Sequence, residues 1–399
     1  MTGPGLVWRF DLRLLKHIAQ RIGLAVAGVT VGLVLAEVIC RMAGMAPLPV
    51  TSERAAFWVY HPVYGWAHRP GQEGRFKMAS FDTRVSINRQ GLRDQDYPFE
   101  RSTAPRLLVI GDSLAWGFGV DRNEIFTERI EASLPQTEVI NAAVSGYSTD
   151  QELLWLEKEG VRYRPDLVLV LVSGNDIPMN MKGRVYYKYY KPYFTWNDAE
   201  GLMLKQVPVP RLSLPMMWLY RVRQFSALAH NMGHLLHRVR SGFRRSASTA
   251  PIPPESVGQT TTSRHMVTAR KTGTGKPGAT TGRISGAAAT LRPHPAQELT
   301  IRLIERMRRR CTEMDSRLIV AATRKFWDED AGFYEDFLRR LDKAGFDVID
   351  IEACPGSRPE AHTLAGDPHW NAAGHAFVAD CLLRHIEAKY ASLRNVEQP

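Results

Sequence analysis

The sequence predicts an α/β protein built on a doubly wound parallel sheet, and three observations carry that expectation. Five short runs are almost wholly apolar and rich in β-branched residues, helix-forming stretches separate them, and several runs end in tight Gly- or Asn-containing turns. Continuous apolar strands alternating with helices belong to a parallel sheet covered on both faces. Hydrophobic residues make up 44% of the 399-residue chain, enough for a sizeable core.

In chain order the strands are RLLVIGDS from Arg106, EVINAAVSGYS from Glu138, PDLVLVLVSGND from Pro165, SRLIVAATR from Ser316 and FDVIDIE from Phe346. Helical stretches are expected at 124–134, 150–159, 298–314 and 330–344, and a last helix, capped by Asn371, runs to Ala388. The stretch 46–105 is turn-rich and aromatic, with HPVYGWAHRPG and VSINRQGLRD as its most patterned pieces. It reads as short strands that pack on the following domain rather than fold alone.

Residues 22–36 carry no charge, and the apolar run continues to Cys40 with Glu37 as its one interruption. At 1.5 Å per residue this run just spans a hydrocarbon core of roughly 30 Å. Arg41 stands four residues beyond Glu37 and can neutralise it. Arg9, Arg13, Lys16 and Arg21 precede the run, so the positive-inside bias puts 1–21 in the cytoplasm, 22–45 in the membrane and the rest outside. A cleaved signal peptide and a buried core helix are the competing readings.

The formal charge of +11 invites a nucleic-acid reading, but its location argues otherwise. Residues 238–292 hold ten Arg or Lys against the single acid Glu255, which accounts for +9 of the excess. That charge lies in one Thr/Ala/Gly/Ser/Pro-rich segment, so nucleic acid is not an expected partner and 241–295 is expected to be a disordered basic insertion. It divides the predicted domain into 106–240 and 296–399. Upstream of it, the run VYYKYYKPYF suits either a ligand-contacting lid or packing beneath a loop.

Of the four cysteines, Cys40 lies in the apolar run, and Cys311, Cys354 and Cys381 form no CxxC pair. Buried free thiols are the expectation, with one bridge among the three as the alternative. No metal-binding cluster or nucleotide-binding loop is visible, so neither metal nor cofactor is expected.

Four motifs follow the strands or open the last helix: GDS at 111–113, VSGYS around Gly146, SGND around Asn175, and GDPHWN around Asp367 and His369. In an open parallel sheet ligands bind outside the carboxyl ends of the strands, where these motifs would meet. A serine hydroxyl needs an imidazole to take its proton, and the imidazole needs a carboxylate to fix its tautomer. Gly111 is expected to permit a sharp turn and Gly146 to let a substrate approach the backbone. Asp112 reads as a residue of its own turn, and His362 and His375 as surface or core histidines.

In order and content the motifs resemble the SGNH (GDSL-type) serine hydrolase family, from about Arg106 to Leu383 without the insertion. The HPVYGW and NRQGLR pieces look like those of membrane-anchored bacterial cell-surface relatives. The resemblance implies a flavodoxin-like fold, Ser113 as nucleophile, Gly146, Asn175 and the Ser113 N–H as oxyanion-hole donors, and Asp367 with His369 completing a triad. It departs from the family's D-x-x-H spacing, since Asp367 and His369 are two apart. The D-x-H-W-N arrangement resembles the alginate-acetylation branch. The implied activity is an esterase acting on acyl groups, such as acetyl, of a cell-envelope glycan or other small ester. O-acyl transfer to a polysaccharide hydroxyl and an inactive carbohydrate-binding scaffold are the alternatives. The implied location is a single-pass bacterial inner-membrane protein with its catalytic part in the periplasm or outside the cell.

Overall fold

The computed structural model describes residues 12–43, 56–78, 80–185, 189–216, 294–327 and 331–390, with 218, 222, 226–229, 231 and 232. Residues 1–11 of the basic leader and 241–293 of the expected insertion lie outside them. The chain forms two compact units, Met1–Pro47 with Val222–Arg292, and Leu48–Arg221 with Pro293–Pro399.

In the first unit, helix α1 (Leu12–Met42) contains the stretch Lys16–Met42, of mean hydropathy 2.3, long and apolar enough to cross a membrane. Glu37 accepts a hydrogen bond from Arg41 Nε at 2.8 Å, as the i,i+4 spacing predicts. The Glu37 carboxylate also accepts from the Ser226 hydroxyl (2.8 Å) and the N–H groups of Ala227 and Leu228 (2.9 Å each), partners that sequence spacing does not reveal.

The second unit begins with two antiparallel hairpins, β1 (Trp58–His61) with β2 (Gly65–His68) and β3 (Glu73–Lys77) with β4 (Asp82–Ser86). The elements that follow are β5 (Arg106–Ile110), α2 (Ser113–Trp116), α3 (Phe126–Ser133), β6 (Glu138–Asn141), α4 (Thr149–Lys158), β7 (Leu167–Val172) and α5 (Asp176–Met179). Small hairpins come next, β8 (Arg184–Val185) with β9 (Tyr189–Tyr190) and β10 (Tyr193–Asn197) with β11 (Gly201–Lys205). The chain then forms α6 (Pro295–Glu313), β12 (Arg317–Ala322), α7 (Ala331–Lys343), β13 (Asp347–Asp350) and α8 (Ala372–Lys389).

Five strands form one parallel sheet in the order β13-β12-β7-β5-β6. The chain steps from β5 outward to β6, then crosses back over β5 to β7 and continues the other way. Right-handed crossovers therefore place α3 on one face and α4, α6 and α7 on the other. Consistent with this, α3 packs with α8 and α4 packs with α6. Connections leaving β5 and β7 diverge, which opens the crevice between their carboxyl ends. Every residue of β5 and β7 is buried, which accounts for their unbroken apolar runs.

The hairpin region shares the core rather than forming its own: Phe57, Trp58, Trp66, Phe76 and Val85 join the cluster built on the sheet. The aromatic run packs as well, with the Tyr189 ring 5.5 Å from Trp58 and 5.7 Å from Trp66. Lys191, in the same run, is fully buried against Asp150. Tyr189 and Lys191 therefore serve packing.

The expectation of three free thiols is corrected. Cys354, just past β13, and Cys381, on α8, form a disulfide with Cα atoms 5.8 Å apart. Their separation of 27 residues carries no signal, and only the return of α8 across the sheet joins them. Cys311 is free and buried, its thiol pushed up to about 12 by burial.

Candidate active site

β5 ends one residue before Gly111, where a Cβ would stand 2.8 Å from Ala115 Cβ and 3.2 Å from Leu171 Cβ. Close packing, rather than the sharp turn expected from sequence, is what requires glycine there. Asp112 caps α2 by accepting from the Leu114 N–H at 2.9 Å, so Ser113 opens the helix at the mouth of the crevice.

The fourth motif brings its imidazole to that point. His369 Nε2 lies 2.8 Å from Ser113 Oγ, across 256 residues of sequence. On the other edge of the ring Nδ1 lies 2.5 Å from Asp367 Oδ1, which also accepts from the His369 backbone N–H at 3.0 Å. Burial pushes the Asp367 carboxyl up, but the two His369 hydrogen bonds outweigh it and hold the group below its ordinary range. With Asp367 accepting from Nδ1–H, Nε2 is left to accept the serine proton. The D-x-H spacing thus closes a Ser–His–Asp chain. Asn371 accepts from the Gly374 N–H at 2.8 Å as the cap of α8, and its amide donates to Ala361 and Thr363 carbonyls, pinning the turn that carries His369.

The other expected donors lie at neighbouring strand ends. Asn175 follows β7, and its Nδ2 is 3.3 Å from Asp112 Oδ2. Ser173 Oγ stands 2.8 Å from Asp112 Oδ2 and 2.6 Å from Asn175 Oδ1, so its one proton serves one acceptor at a time. Burial pushes the Asp112 carboxyl up, against the hydrogen bonds from Leu114 and Ser173. Asp112 thus bonds its own turn and the Asn175 turn, while Nδ1 of His369 goes to Asp367. Gly146 sits in the turn after β6 at φ +77°, a conformation that favours glycine.

Sequence reasoning missed the residues that hold these turns from outside. Trp66 Nε1–H donates to the Ser145 carbonyl at 3.2 Å, and the Tyr147 hydroxyl donates to the Trp66 carbonyl at 2.6 Å, so β2 grips both flanks of Gly146. The buried Arg93 guanidinium donates to the carbonyls of Trp116 (3.1 Å), Gly117 (2.5 Å) and Val120 (2.6 Å), bracing the loop after α2. Asp94 accepts from the Asn141 N–H at 2.7 Å, where β6 ends. The NRQGLRD pattern was the one available signal, though its partners were not readable. His375 is buried, with its ring stacked 6.0 Å from Phe126, and burial pushes it down to about 3. Among the described residues no group of three or more His, Cys, Asp or Glu side chains could hold a metal ion.

The sequence profile of the GDSL-like Lipase/Acylhydrolase family matches residues 109–377. The chain belongs to this family. The acylhydrolase is accordingly an enzyme acting on ester bonds, with an α/β fold around the parallel sheet described above. Solved structures similar to it include TesA (11% identity, 71% of this chain and 98% of that one, TM-score 0.36). A lipase/acylhydrolase from Enterococcus faecalis also matches (11%, 71% and 96%, TM-score 0.32). So does a catalytic mutant of an acetylxylan esterase from Geobacillus stearothermophilus (13%, 72% and 96%, TM-score 0.34). No curated protein sequence matches the chain.

Proposed function

We propose that the acylhydrolase is a serine esterase that removes small acyl groups, acetyl above all, from a cell-envelope glycan through an acyl-enzyme on Ser113. The observation that carries the reading is the unbroken chain Ser113 Oγ, His369 Nε2 (2.8 Å), Nδ1, Asp367 Oδ1 (2.5 Å). Ser113 Oγ attacks the ester carbonyl carbon while its proton passes to Nε2. The resulting oxyanion is met by the Ser113 and Gly146 N–H groups and by the Asn175 amide, which has a second hydrogen besides the one facing Asp112. Collapse breaks the ester C–O bond, and the departing alkoxide takes the proton from the imidazolium. Water then repeats the cycle on the acyl-serine, with His369 again as base and acid.

The chain is read as anchored by α1 with its catalytic unit outside the cytoplasm. Arg13, Lys16 and Arg21 at the start of the helix favour that orientation, and the Cys354–Cys381 bridge suits an oxidising compartment. Steady-state turnover of 4-nitrophenyl acetate by the full-length protein and by Ser113→Ala tests the mechanism. The expected loss is about 10³-fold or more, and a folded Ser113→Ala enzyme with unchanged turnover would overturn it. Adding an oligosaccharide acceptor to the same assay separates hydrolysis from acyl transfer.

A further inference from the structure

The Asp367–His369 pair fixes the imidazole along one edge only. A single residue, Pro368, separates the groups, and the same Asp367 oxygen takes both the backbone N–H and the ring N–H of His369. Rotation about the Cβ–Cγ bond, a broad sp³–sp² torsion, would swing Nε2 away from Ser113. Two aromatic side chains, Phe118 and Phe326, pack against the ring. The Phe118 ring lies flat against it, with centroids 3.9 Å apart and planes 18° from parallel. The Phe326 ring meets it edge-on at 4.9 Å and 68°.

Each phenylalanine is itself held. Phe118 is buttressed by Phe76 and Phe81 of the β3–β4 hairpin, at 5.2 and 5.3 Å. Phe326 sits at φ +64°, a left-handed conformation that bulky side chains rarely adopt. Its loop is tied to the oxyanion turn: the Gly174 N–H donates to the Lys325 carbonyl at 2.8 Å, and a Cβ on Gly174 would stand 2.3 Å from Trp327 Cδ1. A bulky residue kept in a strained conformation at an active site points to function, because relaxing the loop would remove the ring from the imidazole.

We propose that Phe118 and Phe326 are positioning residues that together clamp the His369 ring and keep Nε2 aimed at Ser113, compensating for the short D-x-H tether. The inference rests on the serine mechanism above.

The test uses the full-length enzyme and 4-nitrophenyl acetate. Phe118→Leu/Phe326→Leu should lower kcat about 10- to 100-fold, the scale of a small misplacement of a catalytic group, with KM within about twofold. Phe118→Tyr and Phe326→Tyr should retain most of the rate. Because the clamp and Asp367 act through the same ring, their losses should combine to less than the product when Asp367→Asn is added. Should the double variant not fold, Phe326→Asn carries the test, since asparagine tolerates the left-handed backbone while removing the ring. A kcat within about twofold of wild type in either folded variant, or strictly multiplicative losses with Asp367→Asn, overturns the clamp. Ser113→Ala measured alongside separates the two ideas. An inactive Ser113→Ala beside fully active clamp variants sinks the clamp alone, and an active Ser113→Ala sinks the serine mechanism beneath both.

Discussion

Three histidines crowd the C-terminal motif, and their surroundings assign them different work. His369 bridges Ser113 and Asp367, whereas His375 is buried on α8 and His362 stacks on Phe377 at 4.7 Å. Asp367→Asn should leave the fold intact and lower kcat steeply, because an amide no longer favours the Nδ1–H tautomer. The equivalent change in a serine protease costs about 10⁴, and a loss under roughly tenfold would transfer the orienting role to another acid. His375 supplies a pH prediction. Its folded pKa of about 3 lies below the ordinary 6.5, so between these values the unfolded chain binds the extra proton and stability falls as pH drops. At pH 5 the penalty is about 2 kcal/mol. Melting curves of wild type and His375→Asn at pH 7 and 5 should show a smaller pH loss in the variant. Equal losses would dismiss the argument. A histidine in a helix pattern is legible, but its protonation is decided first by burial and then by Arg93 and Arg129, far away in sequence.

At the scale of elements, the strands were readable because β5, β7 and β12 bury nearly every residue, so their apolar runs stand out from the amphipathic helices between them. The helix expected to follow Asn371 appears as α8, since its cap is a local interaction. The bracing of the loops was not readable. Arg93 reaches carbonyls 23 to 27 residues away, and Trp66 reaches Ser145 across 79. Arg93→Met should cost about 3 kcal/mol or more, because three buried carbonyls lose a charged donor. It should also depress turnover by loosening the loop after Ser113. Chemical denaturation checks the first effect and ester hydrolysis the second; a shift under about 1 kcal/mol would show that water replaces the guanidinium.

For the whole molecule, the Cys354–Cys381 bridge closes a loop of 27 residues. By loop entropy it stabilises the fold by about 3–4 kcal/mol. Cys354→Ser/Cys381→Ser should therefore melt well below wild type, and a reductant should lower the wild-type melting point toward the variant's. An unchanged melting point on reduction would mean the thiols are not bridged in the protein. A reporter fused at the C-terminus should function only in a form that works outside the cytoplasm, and activity of a strictly cytoplasmic reporter there would reverse the orientation proposed for α1.

By itself the sequence determined what depends on local pattern. Periodicity sets the α/β alternation, an apolar run interrupted by Glu37 alone marks α1, and four short motifs, three after strands and one before the last helix, single out Ser113, Gly146, Asn175, Asp367 and His369. Tertiary structure decided what depends on distant surfaces meeting. It paired Cys354 with Cys381, packed Tyr189 against Trp66, tied Glu37 to residues 226–228 and set Trp66 and Arg93 behind the turns. The reason is physical: strands and caps are stabilised within a few residues, whereas a disulfide, a buried guanidinium or a stacked imidazole exists only where the crossing order of a sheet brings its partner within reach.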